Sequence, residues 1–299
     1  MVWETCKIVL HNPPDGLFHT NSIVTGSVVL EVKPDSKVGQ IDLKVKGTCK
    51  ARWSRPSPTM PYIKIYAEKK EVFCVIIDVF RETVKSGTIS RQFHFFLPPD
   101  LPPSYYDKIA KVQYRVKIQS KNAYGLLKKV VCPFTIVNSL NLNHLDEYKY
   151  KLFKIPLLYE MTNKVGIFGS FCLLFKTYKG FTSKQLIPFE AIITNKHKYK
   201  IKRIEVCLIK KIEYSITEGY YNAEESLCKS VYSDILHTVH QSCYFNMEIP
   251  EVMPSTMHLD NSMVNISYSL RVKVCFVYHF PLEIDIPVTI ATVPIVYKS

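Results

Sequence analysis

Residues 97–106 read LPPDLPPSYY and residues 249–258 read IPEVMPSTMH, and in each stretch an apolar residue followed by proline recurs four positions later. An alternating run with a central tyrosine follows each one, KVQYRVKIQ at 111–119 and NISYSLRVKV at 265–274. Proline has no amide N–H and fixes φ, so it ends one strand and redirects the chain before the next. Because the two copies begin 152 residues apart in a chain of 299, they predict two homologous domains in tandem.

Hydrophobic alternation indicates the class of fold. In KVQYRVKIQ the apolar letters V, Y, V and I alternate with polar ones, and the same period occurs in NISYSLRVKV, in QIDLKVKG at 40–47 and in LEIDIPVTI at 282–290. Successive side chains of a strand point to opposite faces, so each run has one buried and one solvated face. The most helix-like segment, SLCKSVYSDILHTVH at 226–240, has only a weak helical period. We therefore predict an all-β chain of two tandem immunoglobulin-like antiparallel β-sandwiches.

A domain boundary is predicted near FTIVNSLNLNHLDEYKYK at 134–151, where a strand pattern gives way to Asn, Ser, His and charged residues. New strand patterns begin at Val165. The expected organisation is a first domain over 1–140, a linker over 141–150 and a second domain over 151–299.

The composition is that of a globular protein, with 47% hydrophobic and 22% charged residues. The nine cysteines contain no C-x-x-C pair, which favours free, buried thiols in a reducing compartment. The N-terminal MVWETCKIVLHN does not resemble a signal peptide, and the longest uncharged run, 165–175, is shorter than the roughly 18 residues of a membrane span. We expect a cytoplasmic protein, or one attached peripherally to a membrane from the cytosolic side.

The net charge of +13 favours an acidic partner, although it also promotes solubility. The densest basic cluster is NKHKYKIKR at 195–203, which contributes Lys196, Lys198, Lys200, Lys202 and Arg203. On one continuous strand the lysines would share a face with Ile204, Val206 and Leu208, and burying them is too costly. A turn or bulge must therefore intervene and expose them. They then bind anionic lipid headgroups or a phosphorylated tail, or they only protect an edge strand from aggregation.

Catalytic and cofactor motifs are not apparent: the sequence has no glycine-rich phosphate loop and no nucleophile elbow. On a strand, His240 would face away from His237 and Cys243, so these residues do not predict a metal site. Only Tyr199 interleaves with the lysines, which argues against nucleic acid as the partner. We predict a protein without a cofactor that is not an enzyme.

The order of these elements resembles the arrestin family, in particular the arrestin-domain-containing proteins called α-arrestins. In the first half the resemblance rests on FHTNSIVTGSVVLEV at 18–32, DLKVKGTCKARW at 42–53, Gly87, Phe93, Phe95, the proline stretch 97–105, Tyr114 and Leu140–Asn143. In the second half it rests on Gly166, LIPFEAIITN at 186–195, RIEVCLIK at 203–210, IPEVMPST at 249–256 and SYSLRV at 267–272.

This resemblance implies two β-sandwiches that act as a cytosolic adaptor. The expected partners are cytoplasmic tails of receptors or transporters, together with ubiquitin-ligase, coat or endocytic sorting proteins, at the plasma membrane or endosomes. The alternative is a scaffold subunit of a retromer-like coat complex. Lys7 lies in the predicted first strand, where the family's phosphate-sensing region falls, so the resemblance makes it a further candidate phosphate contact.

The Pro-Pro-x-Tyr motifs of α-arrestins, which bind WW domains, usually lie in a C-terminal tail, whereas this sequence ends at Ser299. A literal match occurs at Pro102–Tyr105, at the opening of a predicted strand. A WW ligand must be an exposed polyproline segment. We therefore expect this match to be structural.

Overall fold

The structure is a computed structural model that describes residues 3–11, 13, 15–33, 41–56, 61–80, 86–121, 127–145, 153–164, 170–236, 238–256 and 262–294. As far as they are described, the residues group into two compact units. The first comprises Met1–Asn138, Tyr214–Tyr221 and His258–Val264, and the second comprises Ser139–Glu213, Asn222–Met257 and Asn265–Ser299. Because the units are not continuous in sequence, the domain boundaries after residues 140 and 150 stay a prediction.

The strands of the first unit are β1 (Thr5–Leu10), β2 (Phe18–His19), β3 (Ser22–Val32), β4 (Ile41–Pro56), β5 (Ile63–Phe80), β6 (Gly87–Leu97), β7 (Tyr105–Tyr106), β8 (Ala110–Lys121), β9 (Leu127–Phe134) and β10 (Ile136–Val137). One antiparallel sheet has the order β1-β3-β6. A second has the order β5-β4-β8-β7, with β9 also paired to β8, and β10 pairs with β2 in parallel.

Alternation places the core of the first unit between these two antiparallel sheets. In β4, Ile41, Leu43 and Val45 are buried, and the residues between them point outward, as predicted. Aromatic rings connect the sheets: the ring centroid of Phe95 on β6 lies 5.9 Å from that of Phe134 on β9. The sandwich predicted from the sequence is confirmed here.

The chain continues with a 3-10 turn at Leu142–His144 and with β11 (Leu157–Lys164), β12 (Ser170–Thr177), β13 (Gly180–Thr182), β14 (Leu186–Asn195), β15 (Ile201–Ile216), β16 (Gly219–Tyr232), β17 (His240–Glu248), β18 (Val264–Phe276) and β19 (Leu282–Ala291). These elements belong to the second unit, except that the end of β15, the start of β16 and the first residue of β18 group with the first unit. The sheet orders are β11-β12-β14-β17 and β13-β19-β18-β15-β16. Phe171 of the first sheet contacts Phe276 of the second edge to face, with ring centroids 5.1 Å apart.

Two details of the second unit differ from the alternation pattern. The weakly helical segment 226–240 is not a helix, because its first seven residues complete β16 and its last begins β17. Ser269 was expected on the solvated face of β18, but it is buried.

The repeated proline stretch has the same structural role in both units. In the first, the hydroxyl of the buried Tyr114 on β8 donates to the carbonyl oxygen of Pro102 at 2.6 Å. In the second, the hydroxyl of Tyr268 on β18 donates to the carbonyl oxygen of Met253, also at 2.6 Å. The central tyrosine of the following strand therefore fixes the proline corner that precedes it, which explains why both are repeated together.

All nine cysteines are free, as predicted, but most of them are not buried. Only Cys49 and Cys243 are fully buried, and Cys74 is exposed. The prediction of buried thiols was therefore correct only for those two residues. The cysteines lie on both the inward and the outward faces of the strands, and a small apolar side chain is tolerated on either face.

Candidate functional site

The basic cluster forms a surface loop of the second unit between β14 and β15. Asn195, at the end of β14, is almost completely buried, and its side-chain amide makes hydrogen bonds with both backbone polar groups of Tyr199. Its Nδ2 donates to the Tyr199 carbonyl oxygen at 2.9 Å, and its Oδ1 accepts from the Tyr199 amide at 2.9 Å. Lys198 has φ of 50°, in the left-handed region that a tight turn requires. The turn predicted from the cost of burying lysine is present.

We call residues 196–202 the basic loop. Lys196, Lys198 and Lys200 are exposed in the loop, and Lys202 is exposed at the start of β15. Ile201 and Ile204 are both buried although they are three positions apart, so strict alternation is interrupted between them. This interruption leaves Lys202 in solvent. Among the residues that the structure describes, none of these four lysines makes an ion pair.

Arg203 differs from its neighbours because it is already paired. Its guanidinium and the ammonium of Lys229 both contact the carboxylate of the buried Glu205, Lys229 at 2.9 Å. Burial opposes ionisation of Glu205, but these two hydrogen bonds outweigh it and hold the pKa of that carboxyl below its ordinary value. Arg203 therefore has a local counterion, which it shares with Lys229.

A second loop lies against the basic loop and adds exposed aromatic side chains. The amide of Val277 donates to the carbonyl oxygen of Lys200 at 2.9 Å. The rings of Tyr199 and His279 meet edge to face at 5.3 Å. Phe280 is 95% exposed and Tyr278 is 78% exposed. We call residues 277–280 the aromatic loop; together the two loops form one surface that is both cationic and apolar.

Sequence reasoning missed the aromatic loop. Its signal was the run FVYHFP at 276–281, in which aromatic residues continue past the end of a strand into a turn ended by proline. What the sequence does not contain is the pairing that brings this turn beside residues 196–202.

The remaining candidates lie elsewhere. Lys7 is exposed on β1 of the first unit, opposite Val29. Tyr105 of the Pro-Pro-x-Tyr match is 9% exposed, and its hydroxyl donates to Asp107 Oδ2 at 2.7 Å. In the same unit the Tyr214 hydroxyl donates to that carboxylate, which also accepts from the amides of Ile109 at 2.8 Å and Ala110 at 2.6 Å.

Burial is the main reason that the pKa of Tyr214 rises to about 12, so this phenol remains a donor at neutral pH. Burial also opposes ionisation of Asp107, but the four donors together hold its pKa below the ordinary value. The tyrosine of the literal motif is thus committed to an internal network.

The described residues contain neither a cluster of metal ligands nor a helix that could span a membrane. No group of three or more His, Cys, Asp or Glu side chains there is arranged to hold a metal ion. Of the sequence candidates, His237 lies outside the described residues, whereas His240 and Cys243 both lie on β17. No helix in the described part of the chain is both long and apolar enough to span a membrane.

The described residues thus form an all-β protein of two β-sandwich units. Comparison with known proteins identifies the family. The model of the arrestin (or S-antigen) N-terminal domain matches residues 6–143, and that of the arrestin C-terminal domain matches residues 177–295. The chain belongs to the arrestin family, and its general class is that of an arrestin-like adaptor.

A curated relative agrees with this assignment. An arrestin domain-containing protein of Schizosaccharomyces pombe (strain 972) is 34% identical over 118 residues, which covers 36% of this chain and 19% of that protein. The match therefore spans about a fifth of the relative's length.

Proposed function

We propose that the protein is a peripheral adaptor that docks on anionic membrane surfaces, holds cytosolic segments of membrane cargo and links them to ubiquitin-ligase or endocytic sorting proteins. The observation that carries this proposal is the contact between the basic loop and the aromatic loop. Exposed aromatic side chains enter the headgroup boundary, and lysines beside them bind anionic lipid at about 1 kcal/mol each.

The lipid-binding surface is Lys196, Lys198, Lys200 and Lys202 with Tyr278 and Phe280. Arg203, paired with Glu205, supports this surface and is expected to contribute less. Lys7 of the first unit is proposed to contact a phosphate group of the cargo segment, since it is exposed on a strand at the end of its sheet.

Vesicle flotation tests the membrane surface. Phosphatidylserine-containing vesicles should bind the wild-type protein, and Lys198→Gln/Lys200→Gln should weaken binding roughly thirtyfold if each lysine contributes about 1 kcal/mol. Phe280→Ser should also weaken it. The matched control, Lys50→Gln/Lys108→Gln, removes the same charge from two exposed lysines of the first unit that make no ion pair among the described residues. Equal losses in the two lysine pairs would mean that only net charge matters and would refute the surface.

The cargo segment is proposed to add a strand to β5. In the described residues this 18-residue strand pairs only with β4, at the end of its sheet. Ile63, Ile65 and Ile76 on it are 65%, 54% and 63% exposed. A long edge strand with exposed apolar side chains is a template for another chain, and extended peptides bind such edges through main-chain hydrogen bonds.

Proximity labelling in the native cells tests this part of the proposal. Ile65→Lys places a charge on the edge and should deplete membrane proteins from the labelled set. Ile23→Lys changes an equally apolar residue, 66% exposed, on the central strand β3 and should leave that set unchanged. A wild-type set without membrane cargo, ubiquitin ligase or sorting proteins would contradict the adaptor function itself.

A further inference from the structure

A cavity in the second unit lies where two neighbouring strands of its four-stranded sheet separate. The pairing of β12 with β14 ends at Lys176 opposite Glu190. Two positions before Glu190, β14 contains Pro188, which pairs with Asn246 of β17. Proline has no N–H to donate and is uncommon in the interior of a sheet, where it removes a ladder hydrogen bond. The gap beside Pro188 is a cavity of about 220 Å³.

Aromatic rings and prolines line this cavity. Its apolar lining comes from Pro156, Tyr178, Pro188, Phe189 and Tyr244. Phe189 is buried, whereas Tyr244 is 68% exposed, so the cavity extends from the core of the sandwich to the solvent. Leu158 and Leu186 are also exposed on this face of the sheet. An apolar surface with an opening to solvent is typical of a binding site.

A row of side chains across three strands fixes one wall of the cavity. In the register of the sheet, Lys176 lies opposite Glu190, and Glu190 lies opposite Tyr244. Lys176 Nζ donates to Glu190 Oε2 at 2.9 Å, and the Tyr244 hydroxyl donates to Glu190 Oε1 at 3.0 Å. The tyrosine ring is therefore held in place before a ligand arrives. Such preorganisation lowers the entropy cost of binding.

The same face has an excess of negative charge, although the chain has a net charge of +13. Among the described side chains of the four strands, those of Glu160, Glu190 and Glu248 face outward, and Lys176 is the only ammonium group that accompanies them. Glu248 lies opposite Leu186 and makes no ion pair with a described residue. A ligand for this face should therefore carry a positive charge, and Glu248 is available to pair with it.

The shape of the cavity distinguishes among the common ways of binding a peptide. A peptide that adds a strand needs the free edge of a sheet, whereas this cavity lies between β12 and β14, the inner strands of the order β11-β12-β14-β17. An amphipathic helix needs a groove for anchors at i, i+4 and i+7, which span about 10 Å. The cavity of about 220 Å³ is a single pocket. A polyproline II segment has a fully solvated backbone and packs proline rings against aromatic side chains, so it needs neither an edge nor a long groove.

We propose that this cavity binds a proline-rich segment of a partner protein in the polyproline II conformation, and that a basic residue of the segment pairs with Glu248. Tyr178 and Tyr244 contact the proline rings, and the exposed Leu158 and Leu186 extend the apolar contact. The site goes beyond the adaptor function, because it involves neither the basic loop nor the edge of β5.

Fluorescence anisotropy with a labelled peptide tests the proposal. The probe contains two Pro-x-x-Pro repeats and an arginine, and the full chain should bind one copy of it. Tyr244→Ala removes an exposed aromatic wall and should weaken binding about tenfold. The matched control Tyr220→Ala removes a tyrosine that is 63% exposed elsewhere in the chain, and it should change binding less than about twofold.

Two further measurements identify the chemistry of the ligand. Glu248→Gln, at an exposed side chain, should weaken binding about threefold, the size expected for an exposed ion pair. With a second probe, in which glutamine replaces the arginine, the same substitution should have no effect. A third probe, with alanine in place of every proline, should not bind.

The proposal is overturned if the proline-rich probe does not bind at millimolar concentration, or if the alanine probe binds equally well. It is also overturned if Tyr220→Ala weakens binding as much as Tyr244→Ala does. Equal affinities of wild type and Glu248→Gln for the arginine probe would refute the ion pair. A wild-type dimer that Tyr244→Ala converts to a monomer in sedimentation would assign the face to a second copy of the chain and refute the proposal. None of these results affects the vesicle-flotation and cargo-labelling tests of the adaptor function.

Discussion

The tyrosine that fixes each proline corner allows a quantitative test of the fold. Tyr114→Phe keeps the ring and removes only the hydroxyl that donates to Pro102. Burial is the main reason that the pKa of this phenol is raised, so the hydroxyl remains a donor throughout the neutral range. The substitution therefore creates no large cavity, and its effect isolates one hydrogen bond.

The expected magnitude follows from what is left behind. A typical hydrogen bond contributes about 1 kcal/mol net, and a buried acceptor without a donor costs about 1–3 kcal/mol. Pro102 is itself buried, so we expect Tyr114→Phe to destabilise the first unit by about 2 kcal/mol. Met253 is only half-buried, so water can replace the lost donor, and Tyr268→Phe should cost about 1 kcal/mol.

Urea unfolding and scanning calorimetry measure these differences. For a unit of this size, 2 kcal/mol corresponds to a fall in Tm of about 4–8 °C. The control is Tyr278→Phe at a side chain that is 78% exposed, which should stay within about 0.5 kcal/mol of wild type. Because the two corners belong to different units, the double variant should show additive losses. A Tyr114→Phe protein as stable as the control would refute the role of the corner hydrogen bond.

Three further predictions concern particular contacts. Asp285→Asn should lower stability at pH 7 by about 1 kcal/mol, a value reduced for solvent exposure. The hydrogen bond from Arg271, helped by Lys211 and opposed by burial, holds the folded-state pKa of Asp285 at about 2. The stabilisation is therefore present above the unfolded pKa and is lost as pH falls from about 5 to 2, so the acid unfolding curves of wild type and variant should converge. Gly47→Ala should destabilise by about 1–3 kcal/mol, since a Cβ there would lie 2.5 Å from the Tyr114 ring, and a urea midpoint equal to that of wild type would contradict this close approach. A WW domain that binds Pro-Pro-x-Tyr peptides should not retain this chain through Tyr105, so Tyr105→Phe should leave any retention in a pull-down unchanged; retention that disappears in Tyr105→Phe would show that the motif is accessible.

Much of the fold was predictable because the relevant signals are local. The period of two in 111–119 and 265–274 identified strands and their buried faces, and the repeated corners predicted two sandwiches. The cost of burying lysine predicted the turn at 196–200. By contrast, the placement of Tyr214–Tyr221 with the first unit depends on contacts between residues more than 100 positions apart, such as Tyr214 with Asp107. Alternation contains no information about such contacts.

The charged faces of the sheets show the same division between local and long-range information. The outward positions of Lys44 and Lys46 on one strand, and of Arg115 and Lys117 on another, were evident from the sequence, and each run alone is an ordinary solvated face. Only the register of β4 with β8 places like charges opposite one another, and register depends on the pairing of distant strands. In the second unit the same kind of sheet brings Asp285 and Arg271 together, and the charges cancel. Since both faces are built by the same period of two, the difference between them comes from which residues the pairing of distant strands brings together, and alternation alone does not contain that information.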